Sequence, residues 1–434
     1  QGLVSPRADI EGSAGRRSGV PRASFCVPRA PGHARYSKRM SRASTPRGRP
    51  TLRSLALTFL TLSALSCRAE NPPARASGRA LDRPARAAVS EEEEPSRPRL
   101  TVRCVHAAPD RWHADLTLSR PVRALAFLRG PHAFRDHWRV TTRGARAVRT
   151  ADADFVVADA PVSSFSLELP YGDDQPAKDY RPFYRFTDEG SLLYTGHLAL
   201  ALADCPDRDC SRPVIPLSES ESEPAPLDGQ LTLVAAPGET VVVRGRARGG
   251  EVSVPLKTDG TYAYFGNLAP LETADLVGFV DRGFPPWLSA RFDDLLPRLF
   301  ALYGARLGRR GEPQKPLLFA TFARLDGQGR DLGGGVMPPG VVNFAINLGA
   351  SYLDAMTPEL RGDVDHVVAH EVAHLWNGDL YTHQGDRSSG WMHEGSADAL
   401  AFRALRALGA LDETGYRARL SSALSRCVLS LGDG

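Results

Sequence analysis

Lysine is nearly absent from this chain. Only Lys38, Lys178, Lys257 and Lys315 occur among 434 residues, so arginine supplies 50 of the 54 basic side chains. That bias reads as GC-rich coding rather than as a nucleic-acid surface. Net charge is also lacking once the head of the chain is set aside. Residues 1–66 hold twelve basic side chains against Asp9 and Glu11, leaving 42 basic against 48 acidic from Cys67 onward. A mildly acidic body has no pull toward nucleic acid. Beyond one short segment near the start, no run approaches the roughly 18 apolar residues of a membrane span. With 42% hydrophobic and 24% charged residues, the chain has the composition of a folded protein, and its length suits two or three domains.

The chain begins at Gln1, and residues 1–39 are rich in Arg, Gly, Pro and Ser without periodicity. They read as a disordered head or as sequence translated upstream of Met40. From Met40 the pattern becomes legible, with Arg42, Arg47, Arg49 and Arg53 preceding an apolar core at 55–65. Residues 40–67 therefore read as a signal peptide. It closes on Ser63-Ala64-Leu65-Ser66-Cys67, which resembles a bacterial lipobox with Ala64 where Leu is usual. The expectation is export to a bacterial cell envelope, with a lipid anchor at Cys67 as the one contact with a membrane. Cleavage and release as a soluble secreted protein is the alternative. Residues 68–98, with four consecutive Glu at 91–94, read as a solvated tether.

Residues 99–275 carry short alternating runs at 100–105, 114–118, 154–157, 165–169, 192–194, 231–234, 240–243 and 261–265, punctuated by Gly and Pro. This texture predicts an antiparallel β domain without a chemical motif of its own. Four cysteines follow Cys67, at 104, 205, 210 and 427. Cys205 and Cys210 either close a small loop, which an exported chain permits, or remain thiols. From 276 the texture becomes mixed. An amphipathic helix is expected over 288–307, bearing Pro297, with strands over 316–322 and 341–347 and a Gly- and Pro-rich loop over 333–340.

The chemistry is concentrated after Thr357-Pro358-Glu359, a strong helix start. Within the apolar run that follows stand His370-Glu371-Val372-Ala373-His374. Residues four apart stack on one helical face, so both imidazoles can turn to one metal ion. Glu371 lies about 100° round the helix, within reach of a metal-bound water but not placed as a ligand. Catalytic zinc takes three protein ligands, and Glu394 is the preferred third. It opens a second amphipathic stretch at 391–408, ended by Gly409. Asp398, four residues on, shares its face and is suited to accept the other ring N–H of a zinc-bound histidine. His383 and His393 are rival ligands, His393 being expected to point elsewhere. His366 lies two turns from His374, about 12 Å along the axis, too far for one ion to bind both. It is expected to play a supporting part.

These residues resemble the gluzincin metallopeptidases, whose pattern is His-Glu-x-x-His with a Glu ligand about twenty residues later. The run 370–379 is similar to the aminopeptidase N type, and His393-Glu394-Gly395 to its Glu-Gly step. The Leu375-Trp376-Asn377 sequence is similar to that of glycyl aminopeptidases, and the Glu394/Asp398 pair to thermolysin. The resemblance covers roughly 357–408. The metzincin arrangement is excluded, because Asn377 and Leu380 stand where it needs glycine and histidine.

The resemblance implies an α+β chain: an N-terminal antiparallel β domain, then a thermolysin-like mixed α/β zinc peptidase domain over 276–434, expected to be incomplete at its C-terminal end. It implies one zinc ion on His370, His374 and Glu394, with Glu371 as general base, Asp398 orienting His370, and a peptide or protein as substrate. Aminopeptidase and endopeptidase action both stay open. In such enzymes an edge strand before the zinc helix pairs with the substrate backbone, and 341–347 is expected to be that strand. It lacks the Glu with which aminopeptidase N-like enzymes hold the substrate's amino group, since Ile346 precedes Asn347. The residue that stabilises the oxyanion lies further on in the family. Tyr381 and Tyr416 lie nearer than that position, and neither is tied to that role. The alternative is a catalytically inactive envelope lipoprotein that keeps the fold as a binding module or scaffold.

Overall fold

The computed structural model describes residues 97–432, apart from 109, 173–175, 177–178, 189, 217–223, 244–245, 309–313 and 381–389. The expected head, the signal peptide with Cys67, nearly all of the tether, His383 and Tyr381 lie outside the described residues.

The described chain is mixed α/β, with three sheets and four α-helices. In order come β1 (Leu100–Ala108), β2 (Arg111–Phe127), β3 (Arg139–Val140), β4 (Ala145–Arg149) and β5 (Asp154–Pro170). Then follow β6 (Phe183–Arg185), β7 (Ser191–Tyr194), β8 (Leu200–Ala203), β9 (Gly229–Val234) and β10 (Thr240–Val243). Next are β11 (Arg246–Gly249), β12 (Glu251–Pro255), β13 (Tyr262–Gly266), β14 (Leu271–Glu272) and β15 (Val277–Val280). The remainder is α1 (Pro286–Leu307), β16 (Leu317–Leu325), β17 (Arg330–Met337), β18 (Val341–Gly349), α2 (Pro358–Leu380), α3 (Gly390–Ala407) and α4 (Glu413–Gly432).

The first sheet has the order β12-β9-β1-β2-β5-β3, with β4 on β5 and β8 on β2. The second is β11-β10-β13-β7-β6, and the third β14-β15-β16-β18-β17. Pairing in the first two sheets is antiparallel except that β1 runs parallel to β9, a departure from the all-antiparallel expectation. A long excursion between them brings β9 back beside β1 in the same direction.

Side-chain parity explains the stacking. On β10, Val241 and Val243 face the first sheet and join Trp112, Phe165 and Phe265, whereas Val242 faces the other way with Tyr262 and Tyr264. The second sheet is thus covered on both faces, which is why β13 reads as an unbroken apolar run. Its far face packs on Phe279, Leu317, Phe319, Met337 and Val341 of the third sheet. The opposite face of that sheet, through Leu318, Phe322, Val342, Phe344 and Ile346, packs on α1 and α2. The Arg291–Asp365 pair, buried at 2.7 Å, ties α1 to α2.

Two expectations need correction. The glycine-rich 333–340 is not a loop over most of its length: Gly333 to Met337 form the end of β17. The strand at 341–347 is not at the edge. β18 lies between β16 and β17, and β17 is the terminal strand. Cys205 and Cys210 are disulfide-bonded, and Cys104 is a buried free thiol.

Candidate metal centre

α2 starts as its sequence predicts. The Thr357 hydroxyl accepts the Leu360 N–H at 3.2 Å, and Pro358 and Glu359 follow in the first turn. Leu360, Val364, Val368, Val372 and Leu375 bury one face, and the Tyr303 hydroxyl donates to the Ala369 carbonyl at 3.1 Å. α2 runs on past Gly378 to Leu380. α3 packs on α2 through the small side chains Ala397, Ala401 and Ala404. It ends in a Schellman turn: Gly409 has φ +71°, Ala410 N–H bonds the Leu405 carbonyl, and Gly409 N–H that of Arg406.

The two helices bring the predicted residues together. The Nε2 atoms of His370 and His374 lie 3.1 Å apart, with Glu394 Oε2 at 3.2 Å from the first and 3.5 Å from the second. His370 Nδ1 meets Asp398 Oδ1 at 2.9 Å, and the same oxygen takes His366 Nε2 at 2.9 Å. His366 is thus joined to the centre through Asp398, and its ring stacks on Phe402.

A residue that the sequence reading gave no role completes the set. The buried Asn377 donates its amide to the His393 carbonyl at 2.8 Å and to Ser396 Oγ at 2.9 Å. Its Oδ1 must then face His374 Nδ1, 3.1 Å away, so Nδ1 is the nitrogen that carries the proton. Asp398 fixes His370 in the same tautomer. Both Nε2 atoms therefore converge beside a carboxylate, and with His370 neutral they form a donor set that fits a divalent cation with borderline-soft preferences. The i, i+3 spacing of His374 and Asn377 was the available signal. His393, expected to point elsewhere, stacks on the His374 ring with centroids 4.2 Å apart. Tyr416 lies under the Arg406 guanidinium at the start of α4.

The electrostatics follow from this crowding. Burial disfavours charge on His370, but hydrogen bonds with Asp398 and Glu394 prevail and raise it to about 10. Burial would raise Asp398 and the half-exposed Glu394, yet their imidazole partners hold both well below the usual carboxylate range. Glu371 is pushed up, chiefly by burial, while His370 and His374 pull it back.

Glu371 projects toward β17. A Cβ on Gly334 would stand 2.5 Å from Glu371 Cγ, so only glycine fits opposite that carboxylate. The edge groups of β17 can be assigned by parity. The Gly349 N–H bonds the Gly329 carbonyl at 2.8 Å, making 329 and 349 a hydrogen-bonded pair. Register continues unbroken from Arg330 opposite Leu348 to Met337 opposite Val341. Leu332, Gly334 and Val336 therefore turn their backbone N–H and C=O away from β18. From Gly333 to Met337 this edge bears no acid, so the missing amine-binding Glu is missing from the true edge strand as well.

Among solved structures, the chain is similar to an aminopeptidase N family protein from Idiomarina loihiensis, with 16% identity over 74% of this chain and a TM-score of 0.46. The chain spans 56% of the length of that protein. It is also similar to an M1 zinc metallopeptidase from Deinococcus radiodurans, at 16% identity and a TM-score of 0.35, covering 76% of this chain and 74% of that one. A mutant of the Deinococcus enzyme bound to a Tyr-Ser-Ala substrate gives 17% and 0.37, with the same coverage. No protein-family model matches the chain, and no curated protein matches it.

Proposed function

We propose that this chain is a zinc-dependent peptidase. One observation carries the reading: two Nε2 atoms, 3.1 Å apart and each on a ring held by an acceptor at Nδ1, converge with the Glu394 carboxylate. Glu371 lies beside them against β17, the terminal strand of its sheet among the described residues. His370, His374 and Glu394 would hold the ion, and zinc bound there would supply Lewis acidity. Glu371 accepts the proton of the attacking water and returns it to the leaving amine, a task its raised pKa suits. Asp398 and Asn377 hold the two rings in the tautomer that ligation needs. The outward groups of Leu332 and Gly334 offer an extended peptide backbone partners beside Glu371.

We also infer that the protein works outside the cytoplasm, anchored through Cys67. The Cys205–Cys210 disulfide supports an oxidising compartment. Cys67→Ser, expressed in a bacterial host, should move the protein from the detergent phase to the aqueous phase. Unchanged partitioning would favour plain secretion.

The decisive test is elemental analysis together with hydrolysis of a peptide library. One zinc per chain and cleavage that chelator abolishes are expected. Stoichiometric zinc without cleavage would favour the scaffold alternative.

A further inference from the structure

Tyr180 belongs to the β-rich part of the chain, between β5 and β6, yet its hydroxyl donates to the Val336 carbonyl on β17 at 3.1 Å. Val336 is one of the residues whose polar groups face outward. The tyrosine ring covers the neighbouring Gly335, where a Cβ would stand 3.2 Å from its Cε1. Glu371 and Tyr180 thus flank consecutive glycines of the edge strand, one from the helix side and one from the β side.

An unusual amount of buried structure fixes this tyrosine. Its N–H donates to Asp179 Oδ1 at 2.7 Å, and its carbonyl accepts His197 Nε2 at 2.7 Å. Asp179 is held in turn by the Arg129 guanidinium at 3.0 Å and by His132 Nε2 at 2.8 Å. The Tyr180 ring stacks on Tyr194, centroids 4.6 Å apart, with Arg129 over both rings. His132, Asp179 and His197 are close enough to hold a metal ion. A dication there would have to displace a guanidinium from Asp179, and His197 Nε2 already faces a carbonyl. The cluster is a clamp on the backbone of residue 180.

A strand that pairs with β17 beside Glu371 would start at Gly334 and next meet Val336, about 6.8 Å along the edge at ~3.4 Å per residue. The Val336 carbonyl is taken. Antiparallel pairing, the more stable mode, sends the amino end of the incoming strand toward Val336. We propose that Tyr180 is the end stop of the substrate cleft, capping the Val336 carbonyl so that the peptide extends only one or two residues on the amino side of the cleaved bond. Tyr180 is thereby a specificity-determining residue. This rests on the peptidase reading above.

The test is binding, so it does not depend on turnover. Three phosphinic peptide analogues, whose phosphinate replaces the scissile amide, are titrated by calorimetry into the zinc-loaded full chain. One carries a single residue on the amino side, the second adds three residues there, and the third adds three at the carboxyl end. Wild type should bind the amino-extended analogue at least about 30-fold more weakly than the compact one, and the carboxyl-extended analogue within about threefold, since a steric stop and a denied hydrogen bond act only on the amino side. Tyr180→Ala should bring the amino-extended analogue within about threefold of the compact one. Tyr180→Phe keeps the ring on Tyr194 and should still improve the extended analogue by about threefold or more, which covers the case in which the alanine variant fails to fold. Equal wild-type affinities, a penalty on the carboxyl side, or a ratio that Tyr180→Phe leaves unchanged would each overturn the end stop. If no analogue binds zinc-loaded wild type, the peptidase reading itself falls and takes this inference with it. Tight compact binding without discrimination removes the inference alone.

Discussion

Gly334 and Glu371 share a space that holds only one side chain. A methyl group on Gly334 would come within 2.5 Å of Glu371 Cγ and 2.8 Å of its Oε1. Gly334→Ala must therefore move either the edge strand or the carboxylate. Zinc content should stay at wild-type level, because no ligand is touched. Hydrolysis should fall about 100-fold, the cost of misplacing a reacting group by roughly 1 Å. Parallel metal analysis and initial rates check this, and unchanged rates would mean that Glu371 does not act from its observed position.

Glu371→Gln should leave zinc bound and lower turnover by about 10²–10⁴-fold, since an amide cannot take the water's proton. Retained turnover would remove the general-base role. The metal analysis distinguishes this outcome from loss of the ion.

His374→Ala should lose the ion. For wild type, zinc at 1,000 times its dissociation constant should add about 4 kcal/mol to stability, and the variant should gain little of it. Thermal denaturation with and without chelator measures both. A variant that keeps stoichiometric zinc would contradict the ligand set.

Asn377→Ala removes the acceptor of the His374 Nδ1 proton, and Asp398→Asn replaces the carboxylate facing His370 Nδ1 with an uncharged, weaker amide acceptor; both leave the three ligand atoms in place. Either should weaken zinc about 10–100-fold, read by competition with a fluorescent chelator. Asp398→Asn should in addition disturb His366, which shares the same carboxylate oxygen.

Acid should loosen the clamp around Tyr180. Burial, and then the Arg135 guanidinium, pushes the His197 ring down to about 3, so the folded protein holds it neutral where the unfolded chain would protonate it. Its contribution is complete above about 6.5 and is lost as pH falls from there toward 3, at up to about 1.4 kcal/mol per pH unit. Asp179, kept well below the carboxylate range by His132 and Arg129 against the effect of burial, adds a second loss below about 4. Urea denaturation between pH 8 and 4 should show the first slope. Its absence in wild type would mean that His197 titrates normally.

The parts of the centre that were legible in the sequence are those carried by a single helix. His370, Glu371 and His374 share α2, and Glu394 and Asp398 share α3, so helical periodicity alone groups each set. Docking of the two helices was inferred from ligand chemistry rather than read from any local pattern. Which strand is the edge is not legible in the sequence, because strand order is a property of the sheet. Even so, Val341-Val342-Asn343-Phe344-Ala345-Ile346, apolar to both faces, has the texture of an inner strand. Glycines disguised β17 as a loop, and their reason lies across space in the bulk of Glu371 and Tyr180. No sequence feature joins Tyr180 to the centre, since only the stacking of the second sheet on the third brings them together.

That stacking constrains how such a protein can change over generations. Phe279, Phe319, Met337 and Val341 of the third sheet share one apolar cluster with Leu192, Tyr194, Tyr262 and Tyr264 of the β layers. Recombination that transplanted the third sheet and its helices alone would turn this face to water, an exposed patch of the kind that drives aggregation. It would also cut the edge strand away from the tyrosine that ends it. A change on either side of this cluster therefore has to be accommodated by the other.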